Sequence, residues 1–262
     1  MSIPDGFDLS PSEVYHENSK LHPSDYMAYA VINAVNESPE IGSVVTAPFT
    51  HYPGYPTIPL PRDFTPNQES IESVMLGRRS CREFSGGRIG LGTLARVLYF
   101  GDGITGTLTT DEGVTWRLRT APSGGALFPV DIYCVALRVD DVAPGPYFYH
   151  LSQHSLQRLG EGDPTAELAA ATGLTEAVAG AAACIVLVAF MDRVKFKYGE
   201  RGYRFALLEA GHIAQNLLLA AKAEGLGAVP VGGFNDDALN AMLAVDGCQE
   251  IALYAVLIGE AA

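Results

Sequence analysis

Four arginines, Arg78, Arg79, Arg82 and Arg88, crowd into a short stretch of an otherwise acidic chain. In the run Arg78-Arg79-Ser80-Cys81-Arg82, forked guanidiniums flank a hydroxyl, and these are the donors that grip a phosphate monoester. The same cations also suit a solvated surface turn paired with Glu72 and Glu83. A second basic cluster, Arg193, Lys195, Lys197, Arg201 and Arg204, follows an apolar run from Ala182 to Phe190. If that run is a parallel strand, the cluster lies beyond a carboxyl end, where α/β sheets gather ligands. Lys197 stands beside Tyr198 among like charges. Such a field lowers a lysine's pKa and favours phenolate at a tyrosine, so either is a candidate base near neutral pH, with a plain basic loop as the competing reading.

Two glycine-bearing turns, Ala121-Pro122-Ser123-Gly124-Gly125-Ala126 and Pro230-Val231-Gly232-Gly233-Phe234, bring backbone close to a flat ligand or serve as ordinary turns. Glu209-x-x-His212 copies half of a di-iron helix motif, and Glu13-x-x-His16 repeats its spacing in a polar segment next to Pro11. Both read as hydrogen-bonded polar residues, and no metal site is expected. Gly101-Asp-Gly-Ile-Thr-Gly106 fits GxGxxG, but it follows a helix and leads into a Thr-rich stretch. A dinucleotide fingerprint follows a strand and opens a helix. The absence of a P-loop, HExxH or GxSxG weakens nucleotide-hydrolase, zinc-protease and lipase readings.

Several elements position these residues. Ser24 caps an expected helix through about Asn36, Asn67 to Gly77 carries Ile71, Val74 and Met75 at helical spacing, and Leu91 to Phe100 reads as a further helix. Between the first two runs Tyr52 to Pro61, too rich in proline for the interior of a helix or sheet, an extended strap over the surface. Gly101 to Thr110 has a loop's composition. Strands are expected at 131–138 and 250–258, and at 182–190, which is apolar without alternation and so is a central strand covered on both faces. From Arg201 to about Glu224 the spacing predicts the longest helix, apolar in nearly every direction between Ala206 and Ala221. Such a helix is buried all round, at the centre of the fold or in a dimer interface.

The whole chain has 262 residues, 48% of them hydrophobic, and a formal charge of −13. That composition excludes intrinsic disorder, and the charge disfavours nucleic acid as a partner. Cys81, Cys134, Cys184 and Cys248 form no CxxC pair and read as buried thiols of a reducing compartment. The N-terminus lacks a basic segment followed by an apolar run, and no apolar stretch is long enough for a bilayer, so a cytoplasmic location without membrane contact is expected. The division expected is an N-terminal extension with its strap, residues 1–66, and a main domain, 67–262.

Taken together, the motifs resemble the flavin-dependent nitroreductase superfamily, and within it the SagB-type dehydrogenases that oxidise azolines to azoles in ribosomally made peptides. The resemblance rests on Tyr15-His-Glu-Asn-Ser-Lys20, the strap from Tyr52 to Pro61, Arg78-Arg-Ser-Cys-Arg-Glu-Phe84, and Ala121-Pro-Ser-Gly-Gly-Ala-Leu-Phe-Pro129. It continues through Lys197-Tyr-Gly-Glu-Arg-Gly-Tyr-Arg204, Glu209-Ala-Gly-His-Ile-Ala-Gln-Asn216 and Gly225-Leu-Gly227. It implies an α+β fold, a central sheet flanked by helices, that dimerises through its long helices, with FMN in each of two interface sites. Arg78, Ser80 and Arg82 match positions that hold the FMN phosphate and ribityl chain. Pro122, Ser123 and Gly124 match a segment that packs on the ring from the partner subunit, and Gly232 and Gly233 match backbone near flavin N5. Lys197 and Tyr198 match the pair assigned to azoline oxidation.

Ala126 and Phe128 stand where NAD(P)H-using nitroreductases often carry Asn and Gln, which favours the azoline branch. Many relatives continue past the last strand with basic residues, whereas this sequence ends at Gly259-Glu-Ala-Ala262, leaving phosphate binding to the cluster from Arg78 to Arg82. The expected activity is therefore FMN-dependent azoline oxidation on a modified peptide, with a cyclodehydratase complex as a candidate partner. The alternatives are an NAD(P)H-dependent nitro or quinone reductase and a flavin-free scaffold of a peptide-modifying complex.

Overall fold

The chain's first described helix, α1 (Pro11–Asn18), opens at a capping box. The Ser10 hydroxyl accepts from the Glu13 amide at 3.4 Å, and the Glu13 carboxylate accepts from the Ser10 amide at 2.8 Å. Two donors that a helix start leaves open are thereby satisfied, and Pro11 presets φ. This computed structural model describes residues 10–45, 52–111 and 113–262, without the side chains of residues 36 and 43–45. Helix α2 (Tyr26–Glu37) has Asp25 at its N-cap, not the expected Ser24. It is followed by α3 (Pro39–Val45). The proline track then supplies β1 (Thr57–Pro59), an edge strand, as the scarcity of free amides there requires.

Helix α4 (Ile71–Gly77) starts where the Ser70 hydroxyl accepts from the Ser73 amide at 3.2 Å, and α5 (Leu91–Asp102) follows it. The stretch from Gly101 to Thr110 is not the loop expected from its composition. It forms β2 (Ile104–Thr109), paired antiparallel with β3 (Thr115–Arg119), because its threonines are good strand formers and the turn lies further on. The remaining elements are β4 (Val130–Ala136), β5 (Gly145–His150), β6 (Ser155–Arg158), α6 (Thr165–Thr172), α7 (Thr175–Gly180) and β7 (Ala183–Phe190). After them come α8 (Asp192–Tyr198), α9 (Arg201–Ala223), β8 (Gly227–Val231), α10 (Asp236–Leu243) and β9 (Glu250–Gly259).

Among the described residues seven strands form one sheet in the order β1-β6-β5-β4-β7-β9-β8, and every neighbouring pair is antiparallel. The condition attached to the second basic cluster, a parallel strand before it, therefore fails. Strand β7 is central, as its unbroken apolar run implies, and its side chains alternate between two cores. Ile185 and Leu187 face α5 and α9, while Cys184, Val186 and Val188 face α6, α7 and α10. The class is α+β, with helices on both faces of a central sheet.

Within one chain helix α9 is not buried all round, so the first of its two expected placements, the centre of the fold, fails. Ala206, Ile213, Ala214 and Leu217 are packed into the core, but Leu207, Leu208, Gly211, His212 and Gln215 form an exposed face. Of the cysteines only Cys134 and Cys184 are buried; Cys81 is half-buried and Cys248 exposed, and all four are free thiols. No described helix is long and apolar enough to cross a membrane.

Candidate active site

Beyond the end of β7 the chain turns at once into α8, so Lys197 and Tyr198 are consecutive residues of a helix rather than of a strand. Strand neighbours would point to opposite faces, whereas here both head groups reach the same place. A Cβ at Gly125 would lie 2.4 Å from the Tyr198 hydroxyl and 3.1 Å from Lys197 Nζ. Gly125 has φ +66°, so a glycine is required there twice over, by space and by backbone. The turn expected at 121–126 and the expected Lys-Tyr pair are thus one site. Gly124 joins them through Phe205, whose ring stands edge-on to Tyr198 with centroids 4.8 Å apart.

Burial, not neighbouring charge, governs these two groups. It lowers the pKa of Lys197 and raises that of Tyr198. The sequence reading made either a candidate base; the structure makes Tyr198 a phenol and leaves Lys197 as the group shifted toward its basic form.

The turn rests on buried charge. Phe128, at φ +46°, is held by three contacts: its amide donates to the Ser123 hydroxyl at 2.9 Å, its carbonyl accepts from Arg193 at 3.4 Å, and the Arg119 guanidinium lies 4.2 Å over its ring. Arg119 pairs with Asp102 at 2.7 Å and Arg193 with Asp131 at 2.7 Å. Burial raises the Asp102 pKa to about 6 even against Arg119. Ser123 and Arg193 stood in the motifs read from sequence, but the parts of Asp102, Arg119 and Asp131 did not, because these three sit on three different elements. Glu209 also lies beneath the turn and is buried; His212 faces outward, so the Glu-x-x-His spacing brings no two ligands together. Among the described residues no group of three His, Cys, Asp or Glu could hold a metal.

Arg78, Ser80 and Arg82 occupy alternate positions of an extended segment after α4, where Ser80 bridges Ala228 of β8 and the Cys81 amide donates to the Ala228 carbonyl at 2.9 Å. Among the described residues neither Arg78 nor Arg82 forms an ion pair, so the pairing with Glu72 and Glu83 that a solvated turn would show is not made. Gly232 and Gly233 leave the far end of β8 and are exposed. A Cβ at Gly233 would meet nothing within 4 Å and its φ is not positive. Neither packing nor backbone demands a glycine there.

One chain does not bring the two halves together. Gly77, next to Arg78, packs on Lys222 near the end of α9, whereas Gly124 packs on Phe205 near its start. Seventeen residues separate Phe205 from Lys222, about 25 Å of helix.

A further contact joins motifs that are distant in sequence. Arg204 donates to the Ser19 hydroxyl at 2.8 Å and to the His16 carbonyl at 2.6 Å, Arg201 donates to the Ser19 carbonyl at 3.2 Å, and Tyr15 stands edge-on to Tyr203. The segment from Tyr15 to Lys20 is therefore a brace on the start of α9, just after Lys197 and Tyr198.

The sequence profile of the nitroreductase family matches residues 75–260. The chain belongs to the nitroreductase family. Such membership makes it a flavin-type oxidoreductase, and the α+β fold implied by the motifs agrees. A curated relative named "Putative nitroreductase MJ1384", from Methanocaldococcus jannaschii, is 34% identical over 175 residues, 67% of this chain and 84% of that one. The microcin B17-processing protein McbC of Escherichia coli is 30% identical over 123 residues, 45% of each chain.

Among solved structures, a family protein of Anabaena variabilis superposes with a TM-score of 0.72 at 25% identity, over 94% of this chain and 45% of that one. This nitroreductase-family chain thus spans less than half the length of McbC in one comparison and of the Anabaena protein in another. The E. coli microcin synthetase McbBCD complex with truncated pro-MccB17 shares the fold at TM-score 0.62 and 19% identity, over 97% and 98% of the chains. So does a Desulfovibrio desulfuricans family protein in complex with FMN, at 0.51 and 21%, over 74% and 88%.

Proposed function

We propose that this chain is an FMN-dependent dehydrogenase that aromatises thiazoline or oxazoline rings in a peptide. The observation that carries the reading is the convergence of Lys197 Nζ and Tyr198 hydroxyl on Gly125, beside the Pro122-Ser123-Gly124 turn. The similarity to McbC supports it, and so does the fit of the residues to the cofactor. Arg78 and Arg82, without ion pairs of their own, and the Ser80 hydroxyl would hold the phosphate and ribityl chain. Gly232 and Gly233 would lie along the ring, with Pro122, Ser123 and Gly124 of a second copy closing the site in a homodimer.

FMN, when bound, supplies the acceptor for a hydride. An azoline's α-hydrogen is acidified by the adjacent imine and carbonyl. Lys197 Nζ, its pKa lowered by burial, accepts that proton, while the neighbouring ring carbon gives up its hydrogen with the electron pair. Tyr198, kept as a phenol, donates a hydrogen bond that orients the ring or its carbonyl. A cyclodehydratase that forms the azoline is the partner this reaction requires upstream. The test is incubation with an azoline-bearing peptide under air. A loss of about two mass units, the two hydrogens passed to the flavin, is expected.

The similarity to MJ1384 favours a second reading, an NAD(P)H-dependent nitro or quinone reductase, which needs no base. Rapid NADPH oxidation by a quinone without change in the azoline peptide would select it.

A further inference from the structure

Glu209 is a buried carboxyl that, among the described residues, forms no ion pair. It is 2% exposed, its Oε1 accepts from the Val130 amide at 3.1 Å, and its Oε2 is buried without a hydrogen-bond partner. It sits at the base of a turn in which Gly125, Ala126 and Phe128 all have positive φ, at +66°, +52° and +46°. Such backbone persists only where its surroundings over-determine it. Ser123 ties the turn to itself by accepting from the Phe128 amide, and Glu209 ties the turn's exit at Val130 to the long helix.

We infer that Glu209 is a positioning residue, a buried carboxylic acid that fixes the turn from Pro122 to Val130 against Lys197 and Tyr198. The inference rests on the reading that these two residues act on the substrate. The groups around Glu209 agree with the acid form. Asp102 on α5 opposes ionisation; Arg119 on β3 favours it but is already engaged by Asp102; Asp131 on β4 and Arg193 on α8 neutralise each other; and His212, on the same helix, faces outward. Burial is the largest influence, and the Glu209 pKa is raised to about 8, with Ser123 and the Val130 amide pulling it back in part. Ionisation would place an unpaired carboxylate under the turn, which is expensive unless the turn opens.

The folded-state pKa lies above the unfolded one, so the folded protein binds more protons and loses relative stability as pH rises through the interval between them.

The test follows the Gly124–Val130 amides of the flavin-loaded protein by nuclear magnetic resonance across pH, alongside the rate of azoline oxidation. In the wild type the amides should shift with a midpoint near 8, and the rate should fall above it. Glu209→Gln, neutral at every pH, should abolish both effects and keep the neutral-pH rate within about two-fold, while Glu209→Ala should lose at least about tenfold in rate with flavin retained. If Glu209→Ala fails to fold, the Glu209→Gln profile decides. Amides that do not titrate, or a Glu209→Gln profile identical to the wild type, overturn the inference. Amides that titrate in a wild type inert toward azolines support the role of Glu209 in the turn and overturn the reaction instead.

Discussion

Lys197 and Tyr198 share one microenvironment, and burial moves them in opposite useful directions: the amine toward its base form, the phenol away from phenolate. As a base, Lys197 must be unprotonated, so in a Glu209→Gln background, free of the alkaline fall that Glu209 imposes, the rate should rise as pH climbs through its pKa, with the rising limb below the ordinary lysine value of about 10.4. Lys197→Arg cannot lose its proton in that range. It should erase the limb and cost on the order of 10²–10⁴ in rate while keeping flavin, and Tyr198→Phe should also retain flavin. A wild-type rate for the arginine variant would remove Lys197 from the chemistry.

The binding residues answer to a different measurement. Arg78→Ala and Arg82→Ala should each weaken FMN by roughly 1.5–3 kcal/mol, about tenfold or more in Kd by fluorescence titration, because each deletes a charge-assisted phosphate contact. At this scale the sequence offers candidates where residue types stand close together, as in Arg78-x-Ser80-x-Arg82 and Lys197-Tyr198. It read Glu209 as a hydrogen-bonded polar residue, as its bond from the Val130 amide shows it to be, but gave no role to Asp102 or Arg119, whose meaning depends on the turn above them. It misjudged Tyr198, because neighbouring charge can be read from sequence and burial at a helix end cannot.

Among the elements, the long helix and the central strand were legible because their apolar patterns persist over many residues, and the proline track was legible as extended chain outside the sheet's interior, though not as the edge strand β1 that it supplies. The β2–β3 hairpin was missed for the opposite reason: glycine and threonine suit both a loop and a twisted two-stranded ribbon, and only the pairing of Leu108 with Trp116 and Thr109 with Thr115 decides. Helix α8 is short and begins directly at the end of β7, so no apolar pattern marks it. Helix α1 carried a signal in Ser10-x-x-Glu13 and Pro11, but its purpose lies in Arg204, far along the chain. Replacing Arg204 with Ala removes its bonds to Ser19 and His16. The α1 amides should then exchange at least about tenfold faster, the equivalent of about 1.5 kcal/mol of docking, with the amides of β7 unchanged. Unaltered protection in α1 would show that Tyr15 and Arg201 hold the brace alone.

At the scale of the whole molecule, two observations meet on α9. The candidate phosphate-binding segment and the turn beside Lys197 lie near opposite ends of this helix, and between them Leu207, Leu208, Gly211, His212 and Gln215 leave one face exposed, with Leu208 at 60%. If a second copy packs on that face with its helix antiparallel, the start of one α9 meets the end of the other. Each pair of half-sites becomes one, twice, as two-fold symmetry demands. A single chain has no other way to bring Pro122 near Arg78 without unfolding about 25 Å of helix. The homodimer is therefore expected to be a condition for flavin binding. Leu208→Glu places a charge on the two-fold face, where it meets its own symmetry mate or a desolvated apolar surface. Light scattering should report a monomer for this variant, and its flavin should be lost together with the dimer. Arg78→Ala, by contrast, should lose flavin and stay dimeric. A wild-type protein that carries flavin as a monomer, or a Leu208→Glu monomer that keeps it, would place the complete site within one chain and overturn the shared-site arrangement.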